Sequence, residues 1–215
     1  MHRRPLLDLL GRHAESALLA EEEKPSLGRL IAFVSEYPDC FERSLLVGHV
    51  TGSAWVVDQE ERACLLVHHR KLDLWLQPGG HADGDADILR VALREAEEES
   101  GISGIVPVSR EIFDVDVHAI PARKDVPAHF HHDVRFLLRA PAGAVIVKSE
   151  ESYDVRWVPM EEVPSLASDA SVLRMAQKWK TARAAQAAWR WRGHRPRPGS
   201  SSRGRGSSSS GGDSF

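Results

Sequence analysis

The chain has 215 residues, 42% hydrophobic and 27% charged, with a formal net charge of −3. That length and balance suit one soluble globular domain with added elements, and exclude a strong overall pull toward nucleic acid or anionic membrane. Two cysteines, Cys40 and Cys64, build no disulfide framework, no apolar run reaches membrane-span length, and the basic start is a poor secretion signal, so the expected location is cytoplasmic.

Leu6, Leu9, Leu10 and Ala14, then Leu27, Leu30, Ile31 and Val34, recur at helical spacing. Pro25-Ser26 separates the two runs and Tyr37-Pro38-Asp39 ends the second. They predict two helices capping a core, an N-terminal helical extension over residues 1–45. From His49 the pattern turns to strands. "HVTGSAWVVD" and "ACLLVHHR" flank a polar turn at Asp58 to Glu61 and predict a hairpin, and "LDLWLQ" adds a short strand. An acidic helix follows from about Asp85 to Ser100, closed by Gly101 at a C-cap position. "IVPVSREIFDVDVHAI", "AHFHHDVRFLLRA" and "YDVRWVP" are further strands, and a last helix begins after Ser168. The fold class is α/β (α+β), a mixed sheet between helices, spanning residues 46–192. Residues 193–215 are Gly, Ser, Pro and Arg with almost nothing to bury, a disordered and solvated tail whose arginines are a weak RNA-binding signal.

The acidic helix raises the chemical question. Residues three and four apart share a helix face, so Glu95, Glu98 and Glu99 gather with Arg94 beside them, while Leu89, Ala92 and Ala96 form an apolar stripe. Converging carboxylates repel by a few tenths of a kcal/mol per pair, and a hard divalent cation turns that cost into a ligand set. Glycine upstream lets the backbone come close, so a carbonyl at Gly79 or Gly80 can join it. A charge run alone is more often a solvated face. Here, however, Gly80 and the run Arg94-Glu95-Ala96-Glu97-Glu98-Glu99-Ser100-Gly101-Ile102 stand in fixed register. This stretch resembles the Nudix box: Gly, five residues, Glu, seven residues, Arg-Glu, apolar, any, Glu-Glu, any, Gly, apolar. One position departs, because Ala86 stands where that pattern has its upstream Glu, flanked by Asp85 and Asp87 and near Asp83.

The resemblance extends from about His49 to the helix after Ser168 and implies a Nudix-like fold and hydrolysis of a diphosphate in a small molecule, such as a nucleoside diphosphate linked to another group. It implies Mg2+, or Mn2+, held by Gly80, Glu95, Glu98 and Glu99, with Glu95 a ligand or base and Arg94 orienting a neighbouring glutamate. A general base outside the box is offered by Glu150 or Glu151. Arg70, Lys71, His81 and His131 are candidates to meet the diphosphate oxygens, and Ile120 to Ala128 to shape specificity. On a strand His129 and His131 share one face and His132 takes the other; without cysteine companions they are weak evidence for zinc. The expected partner is a small-molecule diphosphate, not a membrane or nucleic acid, and dimers are common in the family. Two alternatives stay open: a non-catalytic nucleotide sensor, suggested by Ala86, and an RNA-processing enzyme, suggested by the tail.

Overall fold

Strand β1 (Gly48–Val57) is the axis of the molecule, because every other layer is placed against one of its edges or faces. The computed structural model describes residues 2–70, 72–123, 126–147, 152–166 and 169–193, with side chains in the last helix described as far as residue 184. The tail predicted beyond Gly193 lies outside these residues.

Along one edge β1 runs parallel to β7 (His129–Arg139), paired from Gly48↔Phe130 to Val57↔Arg139. Along the other it pairs antiparallel with β4 (Gly79–His81). Both edges are therefore taken, and the expected hairpin to β2 (Ala63–His69) closes only at Val57↔Cys64. β2 instead zips to β8 (Ser152–Pro159) and to β3 (Leu74–Leu76). The strand predicted before residue 120 is split into β5 (Val106–Pro107) and β6 (Asp114–Ile120), since Pro107 has no N–H with which to continue the ladder. The result is the mixed sheet between helices that the pattern predicts.

Helices α1 (Arg4–Ala14), α2 (Lys24–Glu36) and α3 (Ile88–Ser100) share one core with the sheet, through Leu10, Leu30, Val50, Ala54, Val91 and Phe136. Pro25 does not separate helices as expected; it sits in the first turn of α2, where its missing N–H costs nothing. α3 starts at Ile88 because the Asp87 side chain caps it, accepting from the Arg90 amide, and it ends with Gly101 at φ 67°. The second core lies on the other face. There Trp55, Val57, Leu66 and Val158 meet α4 (Val163–Leu166) and α5 (Ala170–Gly193) through Val172, Met175 and Trp179.

Between these layers runs a buried chain of charges. Asp114, fully buried, accepts from Arg135 at 3.2 Å, from Arg174 at 2.8 Å and from Lys178 at 3.1 Å. Lys178 also donates to Glu23 at 2.5 Å, and Glu23 takes His13 at 2.6 Å and the Val115 amide at 2.8 Å. Arg135 continues to Asp133 at 2.7 Å, which accepts from Thr51 and Ser53 of β1. Burial opposes the Glu23 charge, but His13 and Lys178 outweigh it and lower the pKa; Asp133, Asp114 and Asp116 likewise raise that of buried Arg135. Removing one partner from such a set strands a charge. Lys178→Ala is expected to destabilise the fold by about 3–5 kcal/mol, read from the urea midpoint.

Candidate active site

The alternation of β-strand side chains decides what faces what. On β4, Gly80 points toward α3, whereas Gly79 and His81 turn to the opposite face, opposite Ser53 and Thr51 of β1. An ideal Cβ on Gly80 would stand 2.4 Å from Glu95 Oε2, so only glycine lets this carboxylate lie on the strand backbone. Arg94 Nη2 donates to Glu95 Oε1 at 2.8 Å and to the His81 carbonyl at 2.9 Å, tying helix to strand. Glu99 Oε2 accepts from the Gly79 amide at 3.1 Å. Glu98 is exposed and acts electrostatically on both Arg94 and Glu95. Burial raises the Glu95 pKa, Arg94 opposes this, and Glu98 and Asp83 add to it. Arg94, Glu95 and Glu99 are thus brought together along β4, with the Glu98 charge near Arg94 and Glu95.

Ala86 is half-buried against the core, so no carboxylate reaches the site from that position. Asp85 is held by Arg90 and Asp87 caps α3. Asp83, paired with Arg43, is the nearby carboxylate whose charge bears on Glu95.

The other face of β4 opens into a cleft of about 1200 Å³, floored by Thr51, Ser53, Asp133 and Arg135 and reaching Gly80 and Glu99. Ile120, Pro121, Arg123, Val126 and Pro127, in the segment expected to shape specificity, form one wall. Of the histidines that line it, His49, His81, His118, His129 and His131 gather in one cluster. His49, His131 and His118 lie in a row across β1, β7 and β6, at 4.8 and 5.5 Å between ring centroids. His129 lies 5.2 Å from His131, and His81 lies 5.2 Å from His131 and 5.0 Å from His49. Burial, then the neighbouring imidazoles, push His49 down to about 4 and His131 to about 2, so both are neutral near pH 7. His118 moves the other way: its bond to Asp116 overcomes burial and raises its pKa. His132 takes the opposite face, stacked on Phe33 at 3.8 Å.

His81 and His131, expected at the substrate, are in the cleft. Arg70 is not among its lining; it is exposed, with its guanidinium 5.4 Å from the Tyr153 ring centroid. Lys71, Glu150 and Glu151 lie outside the described residues. Sequence reasoning passed over His49, His118 and Arg135. The signal that reveals them is the period-two placement of polar residues in "HVTGS", "DVDVH" and "HFHHDVR", aligned across paired strands.

The family model of the NUDIX domain matches residues 48–177, from the start of β1 into α5. The chain belongs to the Nudix family. The Nudix match thus leaves α1 and α2 outside it, although they share its core. A Mycobacterium tuberculosis (strain CDC 1551 / Oshkosh) protein that carries the name MutT4 is 31% identical over 104 residues, 48% of this chain and 40% of that protein. The chain therefore spans about two-fifths of the length of that curated relative. Among solved structures, a binary complex of a C. elegans Ap4A hydrolase superposes with a TM-score of 0.48 at 16% identity, covering 63% of this chain and 98% of that one. The NUDIX domain of Shewanella oneidensis NrtR, complexed with ADP ribose, gives 0.46 at 19% identity, covering 72% and 97%.

The Nudix helix is set on the sheet by a second close approach. A Cβ on Gly52 would stand 2.9 Å from Val91 Cγ1 and 3.0 Å from the Ile88 carbonyl oxygen, both on α3. Gly52→Ala is expected to push α3 off β1 and cost about 1–3 kcal/mol, measured by denaturant unfolding.

Proposed function

We propose that this Nudix-family chain is a hydrolase that cleaves a diphosphate linkage in a small molecule with the help of Mg2+ or Mn2+. The substrate class is a nucleoside diphosphate joined to another group. The observation that carries this reading is the Glu95 carboxylate lying on the Gly80 backbone, with Glu98, Glu99 and Arg94 around it. Gly80, Glu95, Glu98 and Glu99 form an all-oxygen set, which suits a hard cation. When bound, that ion supplies neutralisation of the diphosphate oxygens and a more acidic water.

The chain's own groups do the rest. Arg94 fixes Glu95 against β4 and leaves one carboxylate oxygen unshared by that contact. The Gly79 amide orients Glu99. Asp83 supplies the carboxylate charge that the Ala86 position lacks. Proton transfer from the attacking water falls to Glu95 or to Glu151. The substrate body lies in the adjoining cleft, beside His81 and His131, with the wall of Ile120, Pro121, Arg123, Val126 and Pro127 selecting the moiety. Buried, unpaired Cys40 and Cys64 fit a reducing, cytoplasmic setting. Among the described residues no helix is long and apolar enough to cross a membrane. Ala86 favours one second reading, a nucleotide sensor that binds without turnover.

A screen of nucleoside diphosphate conjugates, with the released nucleoside monophosphate resolved by chromatography, with and without Mg2+, separates the two. The hydrolase reading expects Mg2+-dependent turnover that falls by about 100-fold or more in Glu98→Gln, with the thermal midpoint little changed because Glu98 is exposed. Nucleotide binding without turnover of any conjugate would instead support the sensor. A proton and a cation compete for Glu95, and its pKa is raised from 4.5. Apparent Mg2+ affinity, measured by calorimetry, is therefore expected to weaken as the pH is lowered from 7 toward that pKa, with a smaller pH dependence in Glu95→Gln.

A further inference from the structure

The histidines of the cleft carry chemistry that the glutamate site does not use. His49 is 3% exposed, and neither of its ring nitrogens closes a well-formed hydrogen bond among the described residues, the Leu45 backbone making only a weak approach. A buried imidazole in this state is poorly satisfied. Its ring lies against those of His129 and His131, and one nitrogen from each of the three falls within 4.8 Å of the others. His129 is already oriented. Its Nδ1 lies 2.9 Å from the Pro127 carbonyl, which only accepts, so the proton sits on Nδ1 and the Nε2 lone pair faces the cluster. His129 Nε2 and His131 Nε2 stand 3.4 Å apart. Two nitrogens bound tetrahedrally to zinc at roughly 2.0–2.1 Å are about 3.3–3.4 Å from each other.

We propose that His49, His129 and His131 form a second metal site, for a borderline divalent ion of the zinc class, with a fourth position open to the cleft. An all-imidazole set selects such an ion over Mg2+, which prefers oxygen. The ligands come from two paired strands, His49 directly opposite His131 and His129 two residues before it, so the sheet preorganises them. The site is separate from the carboxylates, since β4 turns His81 toward the imidazoles and Gly80 toward Glu95. Neutral imidazoles attract an anion weakly, whereas a three-histidine cation with an open position takes a water or a phosphate oxygen directly. The proposal thus names an anion anchor in the cleft, and it does not depend on the hydrolase reading.

The test uses the full chain, stripped with a chelator, and zinc alone without substrate. One equivalent of Zn2+ is expected to bind to wild type and to Glu98→Gln, by calorimetry and elemental analysis. Affinity falls by at least about tenfold in His129→Gln, whose ring is half-buried at the cleft and belongs to neither apolar core. Co2+ gives the visible absorption of a tetrahedral site in wild type, lost in His129→Gln and His131→Gln. As a check that needs no variant, Zn2+ shifts the imidazole nitrogen resonances of His49, His129 and His131 in wild type. The proposal is overturned by wild type that takes up no zinc, by undiminished affinity in His129→Gln, by imidazole signals that do not move, or by zinc lost in Glu98→Gln. That last result would put the ion among the glutamates.

Discussion

Asp114 sits at zero exposure with three cationic side chains on its two oxygens, and those cations come from β7 and from two turns of α5. A carboxylate taken so far out of water is tolerable only while all its partners stay in place. The constraint therefore reaches well beyond one residue. Through Lys178 it fixes Glu23, and through Glu23 and His13 it fixes the N-terminal helices to β6. Through Arg135 it fixes Asp133, and with it Thr51 and Ser53 on the cleft floor. The segment ahead of the Nudix match is thereby wired to the groove where substrate is proposed to lie. Helices that look like an accessory in the sequence are part of the support for the site's floor.

Above that floor, one face of β1 changes character along its length. His49, Thr51 and Ser53 face the cleft, while Trp55 and Val57, in the same alternation, enter the second core. The opposite face stays apolar throughout and receives α3 and the N-terminal helices. A single strand thus carries a binding surface and a packing surface, and the two cannot move independently.

The acidic helix and its glycine were plain in the sequence because their chemistry is local: one turn of helix and one close backbone approach. Arg94 bonds Glu95, Glu95 lies against Gly80 and Glu99 reaches the Gly79 amide, while Glu98 stays exposed and bears on Arg94 and Glu95 through its charge. The helical ends and the strands were legible by period, since Leu30, Val34, Val50 and Val134 mark faces that must be buried. Partnership between strands was not legible. Nothing in residues 48–70 says that β1 will take β7 and β4 while β2 takes β8, because pairing depends on edges contributed from far along the chain. For the same reason the histidine row and the charge chain escaped notice. His49 and His131 are 82 positions apart, and Glu23 and Lys178 are 155 apart. Asp114 and Arg135 are charged residues on strands, and only the topology shows that both are buried.

β4 is three residues long, Gly79–His81, and it acts as a partition between a carboxylate chamber and an imidazole chamber. Because a strand alternates strictly, sliding it by one position so that His81 takes the place of Gly80 would thrust an imidazole against Glu95 and leave the Ala82 methyl facing His49 and His131. Insertions or deletions between Gln77 and Ala82 therefore disturb both sides at once, whereas a side chain added at Gly79 or Gly80 strikes one, at Ser53 or at Glu95.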